Sequence, residues 1–334
     1  MKGHTMKKKL VLILAAVLTS SNALAIDWNA EAFVTYKDST SNADVKNAGT
    51  DLERLRVFLA HKFDENWLFK GRFEFKAEAT APSKVYLPEA HFAGSNIIME
   101  GDKVKFGIQE LPAVTMEHAA GNRWISKQLM DAEGFAGVSS TQSGISYGMK
   151  LASVNFTFFT LSGEKGDEID TNDNNKLNGA MIDYKFNDSV TVWIQQTTYN
   201  LLAGLVKSTA VTTLGLSYVS EVYDAGLNYH QAAYSVETGT APKNDTVMGV
   251  NGTLKKIGGT ELNLYAQFSA GYDKYADTLE DTASKYLFGP TWALAEKLNM
   301  GIFYEAEQYQ VDYKTANPNV KEPAALLVKM AAKF

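Results

Sequence analysis

The sequence contains no cysteine and no long apolar run beyond its first 25 residues, and each absence excludes something. Without cysteine the chain forms neither a disulfide framework nor a lipidated cysteine. A transmembrane helix needs about 18 consecutive apolar residues, so none is predicted after residue 25. Removing the four N-terminal lysines leaves 28 basic against 38 acidic side chains, a net charge near −10. This charge argues against nucleic-acid binding and suits a surface facing the cell exterior.

Patterns for catalysis or metal binding are also scarce. No G-x-S-x-G or H-E-x-x-H segment occurs. His118 follows Glu117 and could form a base-and-carboxylate pair, although such a pair is far more often a solvated feature of a loop. Residues 170–174 imitate the first three ligands of a calcium loop, but Asn175 and Met181 occupy the positions that need Gly and Glu. We therefore predict no enzyme activity, no metal site and no cofactor.

The N-terminus has the three parts of an export signal. Lysines precede an apolar stretch at residues 10–18, which is too short to cross a bilayer as a helix, and residues 23–25 form an A-x-A cleavage site. The alternative is a buried N-terminal helix. We expect residues 1–25 to be removed, leaving residues 26–334 as a single domain without a linker.

The last eleven residues alternate with a period of two, which predicts a β-strand with one apolar and one charged face. Leu326, Val328, Met330, Ala332 and Phe334 share one parity, and Lys329 and Lys333 share the other. Together with an export signal, this segment resembles the closing strand of outer-membrane β-barrels. Phe334 is then expected to be the terminal signal that the barrel-assembly machinery reads.

The rest of the chain repeats a strand, a short polar turn, a strand and a longer polar loop. Sixteen strands are predicted, at residues 28–37, 52–63, 67–78, 85–93, 103–110, 144–151, 154–161, 178–186, 190–199, 211–219, 224–234, 246–255, 261–271, 285–294, 298–310 and 324–334. Pro88 weakens the fourth because proline donates no ladder hydrogen bond. The fold class is therefore all-β, a transmembrane antiparallel barrel with short periplasmic turns and long external loops. The amino-acid composition, taken by itself, would also fit a soluble β-protein.

Basic side chains of the early strands fall opposite the apolar rows. They are Arg54, Arg56, Lys62, Lys70, Arg72, Lys76, Lys103 and Lys105. In a soluble sheet they would form a solvated face. In a membrane barrel they must line the pore, because Lys or Arg facing mid-membrane lipid costs about 2–4 kcal/mol.

The loop at residues 111–143 is the candidate constriction. A loop of this length is usually functional, and it contributes Glu117, Asp131 and Glu133. Acids on the loop opposite arginines on the wall would create a transverse field across the pore. The alternative is an external loop without a constricting role.

We expect three arginines, Arg54, Arg56 and Arg72, to set an anion preference. Pairing across the turn at residues 64–66 predicts that Arg72 lies level with Phe58.

Two segments, residues 52–75 and 104–112, resemble the phosphate-selective porin family of the O and P type. The first is a basic strand, a turn and an acidic-basic strand, and the second is a Gly-containing strand that enters a Pro-started loop. The resemblance implies a homotrimeric sixteen-stranded porin in a Gram-negative outer membrane. In that family selectivity rests on a ladder of arginines with clustered lysines, whereas this chain is strongly acidic and has four arginines in total, so no phosphate site is assigned.

The function expected from the sequence is passive diffusion of small hydrophilic solutes and ions through a water-filled channel. Expected partners are outer-membrane lipids, lipopolysaccharide, the assembly machinery and two further copies of the chain. Two alternatives stay open. One is a substrate-specific anion or sugar channel, and the other is a structural or adhesive surface barrel without an open pore.

Overall fold

The computed structural model of the chain describes residues 26–39, 49–76, 84–120, 141–162, 176–199, 206–236, 245–272, 282–309 and 324–334. The predicted signal segment, residues 1–25, lies outside these ranges. Within them the chain forms sixteen β-strands, one α-helix and one short 3₁₀ turn.

The strands are β1 Ile26–Ser39, β2 Gly49–Lys62, β3 Trp67–Lys76, β4 Lys84–Ser95, β5 Lys103–Glu110, β6 Thr141–Leu151, β7 Val154–Leu161, β8 Leu177–Lys185, β9 Val190–Tyr199, β10 Val206–Val219, β11 Tyr223–Val236, β12 Asp245–Leu254, β13 Leu262–Tyr272, β14 Thr282–Ala295, β15 Leu298–Tyr309 and β16 Ala324–Lys333. The helix, α1, is Pro112–Ala120 and follows β5. Among the described residues no helix has the length and apolar character needed to span a membrane.

The sheet closes on itself. Each strand pairs antiparallel with its neighbours in the sequence, and β16 pairs with β1, for example at Val34↔Met330. The predicted antiparallel barrel of sixteen strands is therefore confirmed. Closure also removes the unpaired edge that an open sheet would expose.

The two ends of the barrel differ in their connections. At one end the strands are joined by turns such as residues 63–66, 152–153 and 296–297. In the first, the Asp64 carboxylate accepts hydrogen bonds from the backbone N–H groups of Asn66 and Trp67, both at 2.8 Å. Asn187 plays the same part before β9. The short polar segments thus fold as Asx turns, a structure that their sequences favour.

Strand ends agree with the predicted ones to within three residues, apart from β10, which begins at Val206 instead of residue 211. Pro88 does lie in β4, at an irregularity: Arg72 pairs with Glu89, whereas Glu74 pairs with Tyr86. Two residues of β4 therefore oppose Phe73, which is the arrangement of a β-bulge. A bulge is one of the few places where a strand accommodates proline.

The barrel wall has one apolar and one polar side, because successive side chains of a strand point to opposite faces. On the outer side, large apolar side chains stay exposed, as at Ile194 (45%) and Phe106 (61%). On the inner side, neighbours such as Gln195 and Thr213 are buried. An exposed apolar outer wall and a polar inner wall are characteristic of barrels that face lipid outside and water inside.

Candidate functional site

Arg56 of β2 and Arg72 of β3 lie on the same, inner face of the barrel wall, on paired strands. Phe58 pairs with Arg72, which confirms the predicted level of the two residues. Arg56 pairs with Glu74 in the same register. The inner surface of β2–β5 therefore carries charges of both signs, and we call it the ionic wall.

Arg56 and Glu74 form the first ion pair of the ionic wall. The Arg56 Nε–H donates to Glu74 Oε2 at 2.9 Å, and both residues are at most 5% exposed. Arg54 Nη1 lies 3.8 Å from the other oxygen of the same carboxylate. The Arg56 guanidinium also stands over the ring of Phe33, 5.5 Å from its centre. Two of the three arginines thus share one carboxylate.

Arg72 is held by two further acids. Its Nη1 donates to Glu110 Oε1 at 2.7 Å and lies 3.7 Å from Glu89 Oε2. Glu89 also approaches the ring nitrogen Nδ1 of His91, at 3.4 Å. Arg72 is 4% exposed. The arginines expected to present free positive charge to the pore are therefore paired with wall carboxylates, which is a difference from the sequence expectation.

The lysines of the same wall are placed differently. Lys62, Lys70 and Lys103 are exposed, and Lys105 is partly exposed. Lys76 ends β3, and its side chain lies outside the described residues. Among the described residues, no ion pair shorter than 4.0 Å involves Lys62, Lys70, Lys103 or Lys105.

Helix α1 lies against the opposite inner surface, formed by β9, β10 and β11. Pro112 starts the helix, a position where its fixed φ and missing N–H are favourable. The next residue, Ala113, donates its backbone N–H to the side-chain oxygen of Gln195 at 2.9 Å. Gln195 is 1% exposed and donates in turn to Thr197 Oγ1 at 3.1 Å. One of the unpaired N–H groups that every helix start leaves is thus satisfied by the wall.

Glu117, one turn further along α1, meets His230 of β11. Its Oε1 lies 2.6 Å from His230 Nε2, and both side chains are fully buried. The other ring nitrogen, Nδ1, is 3.0 Å from Thr213 Oγ1. Glu117 was expected to present a free carboxylate to the pore, but the structure places this carboxylate against the wall. It fixes the helix instead of facing water.

Apolar contacts complete the attachment of α1. Leu111 and Val114 are fully buried in a cluster with inward side chains of β7–β12. The wall members of the cluster are Phe159, Leu161, Leu177, Tyr199, Val211, Ala232, Tyr234 and Val247. We call the inner surface of β7–β12 the docking wall. Burying a Leu or Val side chain contributes roughly 1.5–3 kcal/mol, so these contacts hold α1 firmly in the lumen.

A cavity of about 520 Å³ opens on the lumen side between β1, β2 and β11–β16. Its lining includes Phe33, Arg56, Asp224, Lys255 and Lys333. Charged and aromatic groups therefore border open space inside the barrel, on the side away from β3–β10.

The remaining predicted residues can be placed only in part. Asp131 and Glu133 lie outside the described residues, as do residues 170–174 and the side chain of His118. Phe334 exchanges backbone hydrogen bonds with Ala30 of β1, which brings it to the barrel seam. Its role in assembly stays a prediction.

The residues predicted from the sequence did not include the acids of the ionic wall or His230, which contacts Glu117. Glu74 has the same parity as Lys70 and Arg72, so the pattern could have revealed it. Glu89 could not be placed by counting, because the bulge at Pro88 changes the parity of β4. His230 contacts a helix more than 100 residues earlier in the chain, and no local pattern encodes that contact.

Comparisons with known proteins give the fold but no family. No protein-family model matches the sequence, and no curated protein matches it significantly. The anion-selective porin from Comamonas acidovorans is 13% identical, with a TM-score of 0.67 over 92% of this chain and 99% of that chain. Salmonella typhi OmpF, in complex with daunomycin, is 12% identical, with a TM-score of 0.66 over 92% and 97%. OmpT of Vibrio cholerae, in its trimer form, is 13% identical, with a TM-score of 0.62 over 92% and 99%. The chain therefore has the barrel fold of outer-membrane porins.

Proposed function

We propose that the protein is an outer-membrane porin, a water-filled channel through which small hydrophilic solutes and ions diffuse. The observation that carries the proposal is the closed sixteen-stranded barrel with an exposed apolar outer wall and a charged inner wall. Sixteen strands enclose more space than wall side chains fill, so a barrel of this size has an aqueous lumen.

The positions of the charged side chains support a barrel whose polar face points inward and whose apolar face points outward. Arg56, Arg72 and Glu74 all face inward, where each meets an opposite charge. On the outer side the same groups would face lipid, at a cost of about 2–4 kcal/mol per Arg near mid-membrane. A barrel that only filled its interior with packed apolar side chains would have no use for them.

The loop at residues 111–143 is proposed to narrow the passage. Leu111 and helix α1 lie inside the barrel against the docking wall, and the ionic wall stands on other strands. Solutes would then pass between α1 and the ionic wall. The proposed pore-lining residues are those predicted from the sequence, with Glu117 as the residue that holds the helix.

A phosphate-specific channel is the less favoured version of this function. All three wall arginines lie close to carboxylates, and a phosphate ladder requires arginines that are available to the solute. A structural or adhesive barrel without an open pore remains the alternative from a different class.

Assembly and location follow from the same proposal. We expect export to a Gram-negative outer membrane, insertion by the barrel-assembly machinery, contact with lipopolysaccharide, and a homotrimer. OmpT of Vibrio cholerae has a trimer form, which supports the oligomer. Native mass spectrometry of the detergent-extracted protein tests it, and a single copy would contradict the trimer.

The decisive experiment is single-channel recording in planar bilayers with purified, refolded protein. We expect open steps on the nanosiemens scale in concentrated KCl. The control is the same preparation heat-denatured before addition. Absence of steps from a protein that runs as a folded, heat-modifiable barrel would contradict the channel and favour the structural role.

A further inference from the structure

Among the side chains that the structure describes, the ionic wall contains more cations than acids. Its described carboxylates are those of Glu74, Glu89 and Glu110, and each lies within 4.0 Å of an arginine. Three arginines and three glutamates carry no net charge together. The lysines are therefore the groups that give this wall its positive sign.

The exposure of the side chains also distinguishes the lysines from the arginines. Arg56 and Arg72 are at most 4% exposed, so each presents little of its guanidinium surface to a solute in the lumen. Lys62, Lys70 and Lys103 are exposed. An ammonium group on a flexible stem can reach a passing solute without breaking an ion pair.

Lys70 and Lys105 lie on either side of β4. Lys70 pairs with His91 and Lys105 pairs with Ala93, so the two stems stand diagonally across that strand. Next to them, Gly107 pairs with His91 and has φ of +126°. A Cβ at Gly107 would lie 2.3 Å from the Ala90 carbonyl oxygen. Only glycine therefore fits at this position, and the side chain beside Lys70 on β4 is the buried His91, which is 2% exposed.

We propose that the channel prefers anions and that Lys70 and Lys105, supported by Lys62 and Lys103, determine this preference in place of the arginines. The inference rests on the proposed porin function and names its solute class. It also reverses the sequence expectation that Arg54, Arg56 and Arg72 set the selectivity.

The physical basis is local concentration. The Debye length is about 8 Å at physiological ionic strength, so an unpaired lysine charge acts on ions passing beside it. A paired and buried arginine acts as a dipole, whose field falls off faster with distance. Lysine charges attract anions and repel cations, so each lysine changes both permeabilities in opposite directions.

The test measures the zero-current potential across a KCl gradient in planar bilayers. The variant is Lys70→Gln/Lys105→Gln. We expect the chloride-over-potassium permeability ratio to fall on the order of twofold per lysine at low salt, and less in concentrated salt.

The charge-matched control is Lys256→Gln/Lys297→Gln, at two exposed lysines of short turns outside the ionic wall. An equal shift in this control, or an unchanged ratio in Lys70→Gln/Lys105→Gln, overturns the inference while the channel stands. Failure of the unaltered protein to conduct overturns the porin function itself. If the double variant does not fold, Lys70→Gln at an exposed position replaces it, with half the expected shift.

Discussion

The ionic wall and the docking wall lie on opposite sides of the barrel interior, and their side chains differ in kind. The ionic wall joins buried guanidinium and carboxylate groups of β2–β5, whereas the docking wall combines apolar side chains with Gln195, Thr213 and His230. Helix α1 lies on the docking wall, because only there can it bury Leu111 and Val114 against apolar partners. The comparison shows why the helix occupies one side of the barrel interior and not the other. A wall whose charges are already paired offers an apolar helix nothing to bury against.

The largest expected effect concerns the ionic wall. Glu74→Gln takes the carboxylate away from Arg56, which is 2% exposed. Removing one partner of a buried pair costs about 3–5 kcal/mol, because the other charge stays buried. Urea unfolding of the refolded barrel should show this loss. The double variant Arg56→Gln/Glu74→Gln should recover most of it, and a double variant as unstable as Glu74→Gln would mean that the pair is not the cause.

On the docking wall, Leu111→Ala should weaken the attachment of α1 through lost packing. Truncating a fully buried leucine costs about 2–5 kcal/mol. Here that loss falls on the free energy of helix docking, while the barrel strands stay paired. We expect noisier and larger single-channel currents, because a detached helix leaves more of the lumen open. Thr115→Ala, on the exposed side of α1, is the matched control. Unchanged currents in Leu111→Ala would separate α1 from the constriction.

The polar contact between α1 and the docking wall is expected to contribute less to stability than the apolar contacts. A double-mutant cycle with Glu117→Gln and His230→Gln should give a coupling free energy of about 1–3 kcal/mol, as contacting residues of one network do. The unfolding free energies of the four proteins supply the cycle. Additive effects would show that the 2.6 Å contact contributes nothing beyond packing.

The smallest effect belongs to a turn beneath the ionic wall. Asp102 accepts hydrogen bonds from the backbone N–H groups of Ile97, Ile98 and Met99, at 2.7–3.1 Å. Burial opposes its ionisation, but these donors prevail and hold the pKa of Asp102 below its usual range. The stability that ionised Asp102 adds to the folded protein is therefore fully present above the unfolded-state pKa of about 3.9. It is lost as the pH falls through the lower pKa of the folded state.

Replacing this acid tests the linkage. Asp102→Asn should flatten the acid limb of the stability–pH curve below pH 4, which urea unfolding at several pH values measures. Asp188→Asn, in another short turn, serves as the comparison because Lys185 and not a set of backbone donors holds its carboxylate. An acid limb unchanged by Asp102→Asn would contradict the assignment.

Period-two alternation was enough to predict the barrel, and local chemistry was not enough to predict its interior. The parity of β2, β3 and β5 placed their basic side chains inward because lipid enforces that choice at every position. The same parity contains Glu74, yet whether an acid neutralises an arginine depends on side-chain reach across strands. Helix α1 escaped prediction although Pro112 and the residues after it form a favourable helix start. Its docking partners, Gln195 and His230, are specified by strands far along the chain.

The separation between α1 and its partners also sets an order of events. Ala113 and Gln195 are 82 residues apart, and His230 follows later still. A contact of such long sequence separation must wait until the intervening strands have closed their loops, which makes it intrinsically slow. While β9–β11 are unpaired, α1 has no surface to bind and keeps Leu111 and Val114 exposed to solvent. The helix must then enter the lumen before the β1–β16 seam shuts or pass through an open rim afterwards. The part of the barrel interior that α1 occupies is thus filled late in folding, when the last strands pair.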